Sequence, residues 1–146
     1  MNGIIIQMIS TENQLYKREL LLRNEILRIP IGLNIKDEDL GDEVNQIHFV
    51  AMLNSEVVGV VLMKVEGKIG KLRQMAVKSE IQGKQIGRQL VEALELHALI
   101  INLDEIKLHA RHYAVGFYEK LGYQQTSKPV FEEVGMQHFE LWKKLC

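Results

Sequence analysis

Cysteine is almost missing from this chain: the one example is Cys146. An intrachain disulfide and a cysteine metal site are therefore both excluded, and a reducing cytoplasm is the expected setting. Proline is nearly as scarce, with Pro30 and Pro129 alone, and no low-complexity linker or internal repeat is visible. No run approaches the ~20 apolar residues needed to span a bilayer. The first residues show no basic segment followed by a long apolar one, so neither a membrane anchor nor a signal peptide is expected. Charge is balanced, 18 Lys+Arg against 19 Asp+Glu for a net −1, so no basic field favours nucleic acid or an anionic membrane. The nucleotide loops G-x-x-x-x-G-K-S/T and G-x-G-x-x-G are absent, and so is the metal motif H-E-x-x-H.

What is present suits a globular enzyme-sized unit. The chain has 146 residues, 47% hydrophobic and 25% charged, enough apolar material for a core, and it reads as one domain over 1–146. Ile4–Met8 has strand character. A helix capped by Ser10 or Thr11 should follow, with Glu12 and Glu19 early in it and Leu15, Leu22 and Ile26 on one stripe. Pro30 should force Ile29 out of helical geometry and end it near Arg28. Between Ile31 and Asn45 lies an acidic cluster, Asp37, Glu38, Asp39, Asp42 and Glu43, read as solvated surface; the alternative is a lure for an amine.

Ile47–Leu53, Val57–Val65 and Leu72–Val77 then read as consecutive strands in an antiparallel meander. The second is almost continuously apolar, as a strand covered on both faces must be. A helix from Ile86 to about Ile101, an exit turn at Asn102–Asp104 and an alternating strand at Ile106–Ala110 imply a parallel crossover. Ala114, Phe117, Tyr118 and Leu121 mark a further helix closed by Gly122, and strands are expected from Tyr123 and over Gln137–Leu145. The expected architecture is α+β: a mixed, mostly antiparallel central sheet of about six or seven strands with helices on both faces.

The chemistry gathers in Lys71–Glu95, where a short buried strand meets a glycine-bearing loop and then a helix. The backbone N–H groups of that first helical turn converge on one concavity. A helix start carries roughly half a positive charge, which suits phosphate. Gly83 and Gly87 permit close approach, and Lys84 and Arg88 add charge. Taken by itself this is equally an ordinary strand-to-helix connection.

The same stretch resembles the coenzyme-A loop of the GNAT-type N-acetyltransferase superfamily, as in its small bacterial single-domain members. That loop reads Gln or Arg, two residues, Gly, one residue, Gly or Ala, after a strand ending in Ala-Val. Ala76-Val77, Gln82 and Gly87 match, and Gln85 stands where the family has its central glycine. Downstream, Ala110, Ala114, Phe117-Tyr118-Glu119-Lys120 and Gly122-Tyr123 match the family's second motif. Phe131-x-Glu133-x-Gly135-Met136-Gln137-His138 and Arg23-x-x-Ile26-Leu27-Arg28-x-Pro30-x-Gly32-Leu33 resemble subgroup signatures.

The resemblance implies acetyl transfer from acetyl-CoA to an amine by direct attack, without a metal. Coenzyme contacts would come from Met75, Ala76 and Val77 on the strand, from Gln82, Gly83, Lys84, Gln85, Ile86, Gly87 and Arg88 in the loop, and from Ala114 and Phe117. Tyr118 matches the general acid, although its place on an apolar stripe also fits a core aromatic. Arg111 replaces a cofactor-contacting asparagine and would reach a phosphate or the surface. Arg73, Glu133 and His138 are candidates for the acceptor side, and no residue declares itself as the base. His97 reads as a packed histidine, His48 falls in a strand, and His109 and His112 flank a turn without a metal-ligand spacing. The acceptor is a small-molecule or peptide amine, and a homodimer is an open option. The competing readings are a non-catalytic acyl-CoA-binding or sensing module, which Gln85 would favour by crowding the pyrophosphate, and an interaction domain without coenzyme.

Overall fold

The computed structural model describes residues 3–81 and 85–145. Its frame is one eight-stranded sheet. Strands β1 (Ile5–Ile9), β2 (Ile47–Leu53), β3 (Glu56–Glu66) and β4 (Ile69–Val77) follow one another as antiparallel neighbours. β5 (Glu105–Arg111) then lies parallel to β4, and β8 (Met136–Lys144) is antiparallel to β5. The short strands β6 (Gln124–Gln125) and β7 (Phe131–Glu133) both pair with β8. The expected mixed, mostly antiparallel sheet is therefore present. The strand beyond the expected count is β7, a three-residue piece too short to show a period.

β3 explains why both faces are covered. Val57, Val60 and Leu62 pack on one side with Leu22 and Leu27, from helix α1 (Leu15–Arg23) and the turn after it. Val58, Val61 and Met63 pack on the other with Ile86, Leu90 and Leu94 of helix α2 (Ile86–Ile100). Leu90 and Leu94 are fully buried, which is worth roughly 1.5–3 kcal/mol each. Gly59 lets α2 seat this closely, because a Cβ there would lie 2.9 Å from Ile86 Cγ2 and 3.0 Å from Leu90 Cδ1. A third helix, α3 (Val115–Lys120), sits on the α2 side and ends at Gly122, whose φ of 97° is the left-handed conformation that closes helices.

Three expectations are corrected. The first helix starts at Leu15 and not beside Ser10 or Thr11; Asn13 Oδ1 accepts from Leu15 N, while Ser10 serves a preceding turn through Glu12 N. Pro30 does not expel Ile29 from helical geometry: α1 widens into a π turn over Asn24–Arg28, Ile29 keeps helical angles, and a 3₁₀ turn carries the chain through Pro30 to Gly32 at φ 77°. Finally, the acidic cluster is not all solvated. Glu43 is buried and receives Arg23 at both guanidinium nitrogens, with Nη1 at 2.8 Å.

Arg23, Glu43, Glu19 and His48 form a buried polar cluster between α1 and β2. His48 Nδ1 lies 3.0 Å from both Glu19 carboxylate oxygens, and Nε2 lies 2.8 Å from the Glu43 carbonyl oxygen. Both ring nitrogens face acceptors, so both carry hydrogen and the ring is an imidazolium. Burial pushes the pKa of His48 down, but the hydrogen bond and charge of Glu19 and the Glu43 carbonyl outweigh it, and the net shift is upward. Glu19, Glu43 and His48 also come close enough to hold a cation. Arg23 and the imidazolium already neutralise the two carboxylates there.

Candidate active site

β4 and β5 are in register from Ile69–Glu105 to Leu72–Leu108, and no further. Beyond Leu72 the strands part. On its other edge β4 bulges: Arg73 pairs with Leu62 and Ala76 with Val60, so Gln74 and Met75 together oppose Val61. Gln74 takes a φ of 58°, and among the described residues its buried Oε1 has no hydrogen-bond partner. The extra residue reverses which residues face which side. Leu72 packs toward α2, whereas Ala76 packs toward α1.

The gap opens into a cleft of about 450 Å³. Met75, Ala114, Phe117 and Tyr118 line it on the α2 side; Arg73, Arg111, His109, Glu133 and His138 line it on the α1 side. Tyr118, Arg73, Glu133 and His138, which are far apart in sequence, thus meet in one cavity. Tyr118 is 4% exposed and its ring stands edge-on to Phe117 and Tyr123. Among the described residues nothing hydrogen-bonds its hydroxyl. Burial raises its pKa well above 10, so it stays a neutral phenol.

The start of α2 is next to this cleft. Gln85, with its side chain exposed, occupies the left-handed region at φ 64° ahead of the first helical residue. That conformation is the physical reason a glycine suits the position. Gln85 makes no side-chain cap on α2, whose first turn holds no acidic residue. Gly87 packs under Phe117, since a Cβ would lie 3.1 Å from Phe117 Cζ. The Ile86 side chain is buried in the core, and Arg88 pairs with Glu92 at 3.2 Å on the surface. Ala76 belongs to the core on the α1 side, and Val77 is half-buried against the core on the α2 side. Gln82, Gly83 and Lys84 lie outside the described residues.

The α1 side of the cleft holds groups that the sequence reading did not place in a site. His109 Nδ1 is 3.1 Å from Glu133 Oε1 and its Nε2 is 3.4 Å from Glu140 Oε2. Burial works against ionisation of Glu140, yet hydrogen bonds from Thr126 and His109 and the charge of Lys107 hold its pKa below the usual carboxylate range. His138 is buried; its Nδ1 donates to the Met136 carbonyl at 3.0 Å, and its Nε2 lies 3.8 Å from Glu133 Oε2. Arg111 donates to the Leu27 carbonyl at 2.9 Å and to the Tyr113 hydroxyl at 3.2 Å, bracing the end of β5 against the turn after α1. The alternation of Lys107, His109 and Arg111 with apolar neighbours was the available signal that these three share a face.

A mostly antiparallel sheet that splays at one parallel seam, with a helix N-terminus and a buried tyrosine beside the gap, defines the acyl-CoA-dependent acyltransferase class. The chain belongs to the GNAT acetyltransferase family: residues 35–145 match the Acetyltransferase (GNAT) domain. Family members transfer acyl groups from acyl-CoA. The N-acetyltransferase YjcF of Bacillus subtilis is 28% identical over 112 residues, covering 75% of this chain and 80% of that protein. Escherichia coli ElaA superposes with a TM-score of 0.81 at 21% identity, over 96% of this chain and 99% of that one. The PaiA N-acetyltransferase of Thermoplasma acidophilum, solved in complex with coenzyme A, gives 0.75 at 16% identity over 97% and 98%. Among the described residues no helix is long and apolar enough to cross a membrane.

Proposed function

We propose that this protein is a cytoplasmic N-acetyltransferase that moves the acetyl group of acetyl-CoA onto a primary amine by direct attack in a ternary complex. The observation that carries this reading is the parting of β4 from β5 after Leu72, with Tyr118 on the wall of the gap. The residues present fit the coenzyme. β4 runs on past Leu72, where its pairing with β5 ends, and bulges at Gln74–Met75, and the start of α2, where Gln85 makes no side-chain cap, offers backbone N–H groups to a pyrophosphate. Acetyl-CoA, when bound, supplies the activated thioester.

The chain's own groups then divide the work. Holding amine and thioester together can supply several kcal/mol of the barrier. A backbone N–H of β4 polarises the carbonyl. A proton transfer from a phenol with pKa well above 10 to a thiolate near pKa ~8.5 is uphill, so Tyr118 acts by donating a hydrogen bond to the departing sulfur. His138, with Nδ1 tied to Met136, presents Nε2 beside Glu133 to take the proton of the amine. The Tyr118 hydroxyl, which no described residue engages, and the exposed Gln85 side chain favour this over a non-catalytic binding module. A homodimer belongs to the reading, supported by the exposed Leu96, Leu99 and Ile100 late in α2.

The test is a calorimetric titration with acetyl-CoA followed by a thiol-release screen of amines. Micromolar binding and amine-dependent thiol release are expected. No binding at millimolar coenzyme would remove the acetyltransferase reading.

A further inference from the structure

The cleft is lined by charges of both signs. Of the cations that line it, Arg28 is matched by Glu38 and Lys71 by Glu66. Arg73 and Arg111 are half-buried, and among the described residues neither meets a carboxylate: Arg73 donates to Gln46 Oε1 at 2.7 Å, and Arg111 to a carbonyl and a hydroxyl. A guanidinium has five N–H donors, so most of those on Arg73 are unused among the described residues. The carboxylates of the cleft, Glu133 and Glu140, pair instead with His109.

The strand register brings the two charge types side by side. Arg111 is the direct cross-strand partner of His138, and His109 of Glu140. All four side chains point to the α1 face, because Leu108 and Ala110 between them face the α2 core. Arg73 is likewise opposed to its neighbour Leu72 in that core. The two guanidiniums therefore stand on the opposite face of the sheet from α2, whose N-terminus receives the coenzyme phosphates in the reading above. They need a different anion. Partly desolvated guanidiniums with uncharged partners attract a carboxylate strongly and bind it through paired N–H groups.

Resting on the acetyltransferase reading, we propose that the acceptor is a short amino acid: Arg73 and Arg111 hold its carboxylate, and the Glu133–His138 side receives its amine. The short distance between cross-strand neighbours requires that amine and carboxylate be close together in the molecule, which excludes polyamines and aminosugars as the preferred class.

The twenty common amino acids and their carboxamides are offered as acceptors at saturating acetyl-CoA, with thiol release as the readout. At least one free amino acid should exceed its own carboxamide in kcat/KM by roughly 10- to 100-fold. In Arg73→Gln that ratio should fall toward one, and Arg73→Lys should recover part of it. A ratio within one variant is insensitive to lost folded protein. Equal use of carboxamides, an unchanged ratio in Arg73→Gln, or turnover confined to amines without an acid group would each overturn the proposal. A second measurement is independent of turnover: N-acetyl amino acids should shift the arginine Nε–Hε NMR signals of the wild-type protein, and the N-acetyl carboxamides should not. No such shift, in a protein that binds acetyl-CoA, sinks the acceptor assignment alone. The shift without acetyl-CoA binding sinks the coenzyme reading alone.

Discussion

Raising the pH above 6.5 should weaken this fold through one residue, His48. The folded imidazolium donates from both nitrogens, to the Glu19 carboxylate at 3.0 Å and the Glu43 carbonyl at 2.8 Å, with no exposure to water. Its pKa is raised over the ordinary 6.5. The contribution to stability is therefore complete below pH 6.5 and is lost as pH rises through the folded pKa. Within that window one proton is bound in the folded state and not in the unfolded, so stability should fall by up to about 1.4 kcal/mol per pH unit. His48→Gln should remove the slope. It should also lower stability at pH 6 by roughly 3–5 kcal/mol, since Glu19 loses a charged partner inside the protein. Urea unfolding of both proteins across this range measures both effects. A flat wild-type profile, or a His48 ring that titrates below 6.5 by NMR, would refute the imidazolium assignment.

Other substitutions probe the site and its seam. Tyr118→Phe should reduce kcat by roughly 10- to 100-fold while the Kd for acetyl-CoA holds; undiminished turnover would take the phenol out of the mechanism. Gln85→Gly relieves a left-handed side-chain residue, a strain of about 1–2 kcal/mol, and should keep or tighten coenzyme binding; a large loss of affinity would show that the side chain itself makes a contact. Gly70→Ala puts a Cβ 2.7 Å from Met63 Sδ and 3.0 Å from Ile106 Cδ1 and should destabilise by roughly 1–3 kcal/mol in urea, whereas a neutral result would mean that the Met63 side chain swings clear.

The parts of this protein legible in its sequence are those set by periodicity. The nearly continuous apolar run of β3 required cover on both faces, and α2 between two strands required the parallel crossover. The bulge left a trace that went unused: apolar residues run Leu72, Met75, Val77, a step of three and then two, as happens when one extra residue shifts the pleat. The burial of Glu43 left none, because its partners Arg23 and His48 lie on other elements and nothing local tells a solvated acid from a paired one. Pro30 misled for a related reason. The preference of a residue before proline is weak, and the helical turns over Asn24–Ile31 overrode it. The family motifs located Tyr118 and the start of α2. His109 and Arg111 became visible as cleft residues only through the register of β5 with β8.

The four-pair register between β4 and β5 has a mechanical side. To one side lies the antiparallel block β1–β4, and to the other the block β5–β8, so the sheet is two plates joined along a short weld. A ligand seated in the gap touches both plates and lengthens the weld. The free protein should thus exchange amide hydrogens fastest along the inner edges of the two plates, and occupancy of the cleft should quiet both edges together, making the bound molecule a structural part of the sheet it reacts on.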